Sequence, residues 1–178
     1  MSTLIKGRRI AADRWTMVHA AGELPADGDV IVPLSSWNTE RERLGTRAGR
    51  VGVLLRPEDD PAELGAYLSH LALVAIEFPH FTDGRGYSTA RLLRERHGYR
   101  GELRAVGDVG RDQLFYLSRV GFDAFALREG ERPEQALGAF EDFSEAYQTS
   151  VDRLQPLFRR RGGRNPGAAG ASPDGVAR

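Results

Sequence analysis

The sequence predicts an α/β protein with a mostly parallel sheet of about five strand–helix units and a short N-terminal β-hairpin. Five segments of strand length are apolar almost throughout, which is typical of strands buried on both faces of a parallel sheet. Each is followed by helix-start residues or by apolar residues at helical spacing, and this alternation indicates strand–helix units. The expected strands are 29–34, 51–55, 71–78, 103–106 and 123–127. The helices that follow them are expected to end near residues 44, 70, 97, 120 and 148.

Capping residues and prolines indicate where these helices begin and end. Ser35 or Ser36 is placed to cap the first helix, and Pro61 suits the first turn of the second. Pro133 is expected to open the last helix in the same way. Gly98 follows the third helix, at a position where a left-handed residue often ends a helix.

The N-terminal hairpin is expected from two short apolar segments, 4–10 and 15–19, around a polar turn at 11–14. Two architectures fit the strand–helix units: an open doubly wound sheet, or a half-barrel with its strands in sequential order. A complete eight-unit barrel needs about 250 residues. The chain has 178 residues, so a complete barrel is excluded.

Charge divides the chain into a folded body and a tail. Residues 1–158 are expected to form a single domain, and 159–178 a flexible tail rich in Arg, Gly and Ala. The tail carries five arginines and one aspartate, whereas the body carries 20 basic and 24 acidic residues. A body with that balance is not expected to bind nucleic acid. The tail either contacts an acidic partner or is simply a solvated end.

Composition also limits the chemistry and the location. The sequence contains no cysteine, which excludes disulfides, thiolate catalysis and cysteine-ligated metals within this chain. No apolar run approaches the roughly 20 residues of a membrane span, and the N-terminus lacks the apolar stretch of a signal peptide. The expectation is therefore a cytoplasmic protein without membrane contact.

The loop after the third strand is the first candidate site, because ligands of parallel sheets bind beyond the carboxyl ends of the strands. Gly84 and Gly86 allow a tight turn with exposed amides, Arg85 supplies a planar cation, and Ser88 can cap the next helix. These features suit an oxyanion at a helix N-terminus. An equally good interpretation is a capped turn without a ligand, in which Asp83 accepts hydrogen bonds from local amides.

The loop after the fourth strand is the second candidate. Asp108 follows the strand directly, and Arg111, Asp112 and Gln113 occupy the first turn of the next helix. Asp108 either caps that helix or contributes to the site. Arg111 opposes the helix dipole, which indicates a salt bridge or a bound anion.

A metal site is not expected. Glu77 and Asp108 end neighbouring strands, as Mg²⁺ ligands do in some barrels, but Arg128 stands where a third carboxylate would follow the fifth strand. The four histidines show no metal-ligand spacing. Trp37, just after the first strand, is expected to cover either the site or the first helix.

Four segments resemble a known bacterial family: 83–88 (DGRGYS, which includes Tyr87), 91–94 (RLLR), 101–108 (GELRAVGD) and 111–116 (RDQLFY). The chain is similar, over about residues 31–147, to the proteobacterial family called domain of unknown function 934, described as probable oxidoreductases involved in sulfite reduction.

The resemblance implies a cytoplasmic role beside the sulfite reductase haemoprotein subunit in cysteine biosynthesis. The family has no established catalytic residues, and this chain shows no flavin or nicotinamide motif, so no cofactor is expected. The leading hypothesis is an accessory protein that binds the haemoprotein subunit. The alternative is an enzyme that binds a small oxyanion, such as sulfite or a phosphorylated metabolite, in the two loops. The candidate ligand-binding residues are Asp83, Arg85, Tyr87, Ser88, Asp108, Arg111, Asp112 and Gln113.

Overall fold

The computed structural model describes residues 3–19 and 24–140 as an α/β fold around one eight-stranded sheet. The strands are β1 (Thr3–Lys6), β2 (Arg9–Ala12), β3 (Trp15–Met17), β4 (Asp29–Pro33), β5 (Val51–Leu55), β6 (Leu73–Phe78), β7 (Glu102–Gly107) and β8 (Ala124–Phe125). The α-helices are α1 (Leu34–Gly45), α2 (Arg85–Arg91), α3 (Leu114–Arg119) and α4 (Pro133–Ala136). The helix expected to reach 148 and the tail at 159–178 extend beyond residue 140, outside the described residues.

The sheet has the strand order β2-β1-β8-β7-β6-β5-β4-β3. Strands β3 to β8 are parallel and in sequential order, which is the order of a curled half-barrel. A doubly wound sheet would reverse its strand order part-way across. The prediction of a mostly parallel α/β sheet is therefore confirmed in its half-barrel form.

The N-terminal hairpin is present, but its strands differ from those expected. It is formed by β1 and β2 with a turn at Gly7–Arg8, where both residues have positive φ. The expected second strand, 15–19, instead becomes β3 and pairs with β4 at the opposite edge of the sheet. Hydrophobic burial explains this arrangement, because the pairing of β1 with β8 buries Leu4 and Ile5.

Two residues, Asp13 and Arg14, connect the two edge strands of the sheet. Three peptide steps span at most about 11 Å. The sheet must therefore curl until the end of β2 lies close to the start of β3. The link encloses the concave face, where Ile31, Leu54 and Leu73 form a small apolar cluster.

The larger core lies between the other face of the sheet and the helices. Its strand residues alternate with those of the concave cluster, as Val53 and Leu55 on β5 alternate with Leu54. Both faces of the parallel strands are buried, which explains why these segments read as continuous apolar runs.

The connecting helices are shorter and less regular than expected. Pro61–His70 is a 3₁₀ segment broken at Gly65, which has φ 42°, and Leu92–Arg96 forms a π-turn after α2. Further 3₁₀ turns occur at Arg111–Gln113 and Leu137–Phe140. The connections are too irregular to be counted as five regular strand–helix units.

The cap expected for the first helix, Ser35 or Ser36, is wrong. Helix α1 starts directly at Leu34 after Pro33, so Ser35 and Ser36 lie inside the helix and neither caps it.

In residues 3–19 and 24–140, no helix is both long and apolar enough to span a bilayer.

Candidate functional site

The two loops expected to form a site lie against each other at the carboxyl edge of the sheet. The Phe81 amide donates a hydrogen bond to Asp108 Oδ2 at 3.0 Å, and Gln113 Nε2 donates to the Phe81 carbonyl at 3.3 Å. The Asp108 amide donates to the Phe78 carbonyl at 2.7 Å. Because β6 and β7 are parallel neighbours, the turns that leave them meet at one edge.

Asp83 and Arg85 form an ion pair within the first loop. Arg85 Nε and Nη2 donate to the two Asp83 carboxylate oxygens at 3.0 and 2.6 Å, and the Arg85 amide donates to Oδ1 at 3.1 Å. These hydrogen bonds lower the pKa of Asp83 to about 2. Asp83 thus accepts from a local amide, as in a capped turn, while the Arg85 side chain remains 61% exposed.

Asp108 does not cap the following helix, contrary to one of the two interpretations of its position. Gly110 occupies the N-cap position of the 3₁₀ turn that starts at Arg111. Asp108 Oδ1 instead accepts a hydrogen bond from Arg128 Nη1 at 3.1 Å. The pKa of Asp108 is lowered mainly by this hydrogen bond and, to a smaller extent, by the one from the Phe81 amide. Asp108 therefore joins the loops after β6, β7 and β8.

Gln113 contacts both loops, and Tyr87 is hydrogen-bonded to Gln113. Gln113 is buried, and its Oε1 accepts a hydrogen bond from the Gly110 amide at 2.9 Å. The Tyr87 ring meets the Phe78 ring edge-on, with 5.5 Å between the ring centroids. Burial raises the pKa of Tyr87, and a side-chain hydrogen bond with Gln113 acts in the opposite direction. Gln113 therefore contacts both loops from a buried position, and Tyr87 is half-buried beside it.

The remaining three predicted residues are Ser88, Arg111 and Asp112, and all three are exposed. Ser88 is exposed inside α2, which starts at Arg85, so Ser88 does not cap that helix. Arg111 Nε donates to the Gln135 carbonyl at 3.4 Å. Asp112 is exposed in the adjacent 3₁₀ turn.

Several residues at this edge were not among the predicted site residues. Phe81 is 60% exposed although its amide and carbonyl are both hydrogen-bonded. Arg56 Nε lies 3.6 Å from Glu77 Oε2, between the ends of β5 and β6. His80 belongs to the first loop and lies close enough to Asp83 and Asp108 to contribute to lowering the pKa of each. The position of each residue just beyond a strand was the available signal.

The loops at this edge are acidic overall. Residues 56–60, 77–85, 107–112 and 126–132 contain nine carboxylates and five arginines. Arg128 binds Glu131 as well as Asp108, and Arg85 binds Asp83. The opposite edge, at 7–9, 27–29, 45–50, 70–72, 96–102 and 119–123, contains seven arginines and four carboxylates. Helices start at the first edge and end at the second, so this distribution matches their dipoles.

Trp37 lies in the first turn of α1, which begins directly after β4. It is buried in α1 and meets the Tyr67 ring edge-on at 6.1 Å. Trp37 therefore packs the first helix against the Pro61–His70 segment. Within the described part of the chain, no group of three or more His, Cys, Asp or Glu side chains could hold a metal ion.

Comparison with known proteins identifies the family. The model of a bacterial protein family of unknown function, DUF934, matches residues 52–158, which is more than half of the chain. The matched region includes both loops of the carboxyl edge. No curated protein matches the sequence. On this match, the chain belongs to the DUF934 family of bacterial proteins of unknown function.

Proposed function

We propose that this protein is an accessory factor of assimilatory sulfite reduction, which binds the sulfite reductase haemoprotein subunit in the cytoplasm through the carboxyl edge of its sheet. The choice of partner and pathway rests on the family resemblance of the motifs at 83–88 and 111–116. The choice of surface rests on the geometry of the two loops.

The observation that carries the proposal is the exposed ring of Phe81 on a hydrogen-bonded stretch of backbone. An aromatic side chain that is 60% exposed normally moves freely, and binding must then immobilise it. Here the backbone on both sides is already held, by Asp108 and by Gln113. An exposed aromatic residue on such a preorganised backbone has the properties of a binding hot spot.

The charges around Phe81 favour a protein partner over a small anion. Arg85 and Arg128 already bind carboxylates, so an oxyanion would have to displace Asp83 or Asp108. The excess of carboxylates at this edge instead favours a partner surface with basic residues around an apolar pocket.

The test is direct binding between the purified protein and the purified haemoprotein subunit of the same organism, measured by isothermal titration calorimetry. Phe81→Ala is expected to weaken binding by about 2 kcal/mol or more, which is about 30-fold. The matched control is Leu92→Ala, because Leu92 is also an exposed apolar residue, at 40%, but lies on the π-turn after α2.

An absence of binding by the unaltered protein would reject this function. Equal losses for Phe81→Ala and Leu92→Ala would reject the proposed surface.

A second candidate function, binding of a small oxyanion such as sulfite or a phosphorylated metabolite at the same edge, is favoured by one observation. Arg85 is well exposed and lies in the loop that also contains His80. A thermal-shift screen with sulfite, sulfate and phosphate esters tests it. Stabilisation that disappears in Arg85→Ala supports this candidate, and unchanged melting across the panel rejects it.

A further inference from the structure

A cavity of about 320 Å³ lies at the opposite edge of the sheet from the loops discussed above. It is formed between the end of the Pro61–His70 segment and residues 97–101. Its volume is at the lower end of the range for small-molecule pockets, so it suits a small ligand and not a polypeptide.

The inner wall of this cavity is apolar and firmly held. Leu68, Leu71 and Tyr99 line it and are each at least 95% buried. The Tyr99 hydroxyl lies 3.2 Å from the carbonyl oxygens of both Leu71 and Glu102, so its single proton is shared between these two acceptors. Burial raises the pKa of Tyr99, so this hydroxyl keeps its proton and remains a donor.

Arg94 holds the loop that forms the outer wall of the cavity through hydrogen bonds to its backbone. Its Nη1 donates to the Tyr99 carbonyl at 2.8 Å and to the Gly101 carbonyl at 2.9 Å. A side chain at Gly101 would overlap the Tyr99 hydroxyl. The cavity is therefore preformed, and a ligand would not have to pay the conformational entropy of ordering this loop.

Two basic side chains, His97 and Arg100, also line the cavity. Neither has a side-chain hydrogen bond or ion pair within residues 3–19 and 24–140. This distinguishes them from Arg85, Arg94 and Arg128, each of which binds a carboxylate. The surrounding edge has more arginines than carboxylates, so its potential favours anions.

We propose that this cavity binds a small organic anion, with its carboxylate or sulfonate held by Arg100 and His97 and a short apolar body against Leu68, Leu71 and Tyr99. Arg100 and His97 bind the anionic group and fix its orientation, and the exposed atoms of the apolar wall contact the body of the ligand. This site is independent of the surface around Phe81, and it does not require the function proposed above.

The experiment is an NMR titration of the ¹⁵N-labelled full chain with hexanoate, hexane-1-sulfonate and inorganic sulfate. The two organic anions are expected to shift the amide signals of residues 68–71 and 97–101. Inorganic sulfate lacks the apolar body and is expected to bind at least about tenfold more weakly, because it has no methylene groups to bury against the apolar wall.

Arg100→Ala is expected to weaken binding of the organic anions about tenfold, because it removes a charge-assisted hydrogen bond. Arg96→Ala is the matched control, since Arg96 is an exposed arginine of the same edge that does not line the cavity. Both residues are exposed, so both variants are expected to fold. Equal affinities for the two variants, sulfate binding as tight as hexanoate, or shifts confined to other amides would each overturn the proposal.

Discussion

Arg104 Nη1 lies 3.0 Å from both carboxylate oxygens of Asp13, which joins the middle of the sheet to the link between its two edges. Arg104 belongs to β7, and its side chain is only 3% exposed. Its Nη2 also lies 2.7 Å from Glu102 Oε1, and Lys6 Nζ lies 2.6 Å from Glu102 Oε2. This network closes the concave face at the end opposite Phe81.

Arg104→Ala is expected to destabilise the protein by about 3–5 kcal/mol, because the largely buried Asp13 carboxylate loses the guanidinium it pairs with, while Glu102 keeps its pair with Lys6. The measurement is urea denaturation followed by circular dichroism. Arg91→Ala is the control: Arg91 pairs with Glu95 on the surface of a helix, and its loss is expected to cost about 0.5 kcal/mol or less. Similar costs for the two variants would contradict the role given to Arg104.

Gly107→Ala is expected to destabilise the protein by about 2 kcal/mol or more, since the residue must keep a left-handed conformation. Gly107 has φ +95°, and an added Cβ would overlap the Phe78 carbonyl oxygen that accepts the Asp108 amide. Gly84→Ala provides the comparison at the same edge. Gly84 has φ −81° and open space around its Cα, so alanine there is expected to be neutral or to stabilise by up to about 1 kcal/mol.

Both variants are assayed by chemical denaturation. A tolerated Gly107→Ala would show that the backbone before Asp108 is not constrained as described. A destabilising Gly84→Ala would show that the start of α2 is tighter than its contacts indicate.

The Asp83 carboxyl is expected to titrate with a pKa of about 2 in the folded protein, because Arg85 donates to it from both its side chain and its amide. A carboxyl whose pKa is lower when folded stabilises the fold above its unfolded pKa, near 3.9. That stabilisation is lost as the pH falls from about 4 towards 2. The measurement is a ¹³C NMR titration of the Asp83 carboxyl carbon. In Arg85→Ala the pKa is expected to rise towards the ordinary value, and an unchanged titration would contradict the ion pair.

The positions of the parallel strands could be predicted because their burial leaves a local signal. Strands β4 to β7 are apolar over most of their length since both faces of the sheet are covered, and the expected segments agree with them to within about two residues. The pairing of the N-terminal strands leaves no such signal. The segment at Trp15–Met17 reads equally well as one arm of a hairpin or as an edge strand.

The candidate site was predictable in part. The loops containing Asp83 and Asp108 were identified because parallel strands place their carboxyl ends at one edge. The partners within that edge depend on long-range distances, which spacing does not contain. Thus the sequence allowed Asp108 to be interpreted as a cap of the next helix. In the structure its carboxylate instead accepts hydrogen bonds from Arg128 and from the Phe81 amide.

By itself the sequence determined the class of the fold, its parallel strands and the edge at which their loops gather, because these follow from periodicity and chain direction. Tertiary structure alone decided which carboxylate neutralises which arginine, and that Phe81 is held exposed at one edge while His97 and Arg100 line a cavity at the other. The physical reason is range: burial patterns are written residue by residue, whereas ion pairs and cavities arise only when distant segments meet.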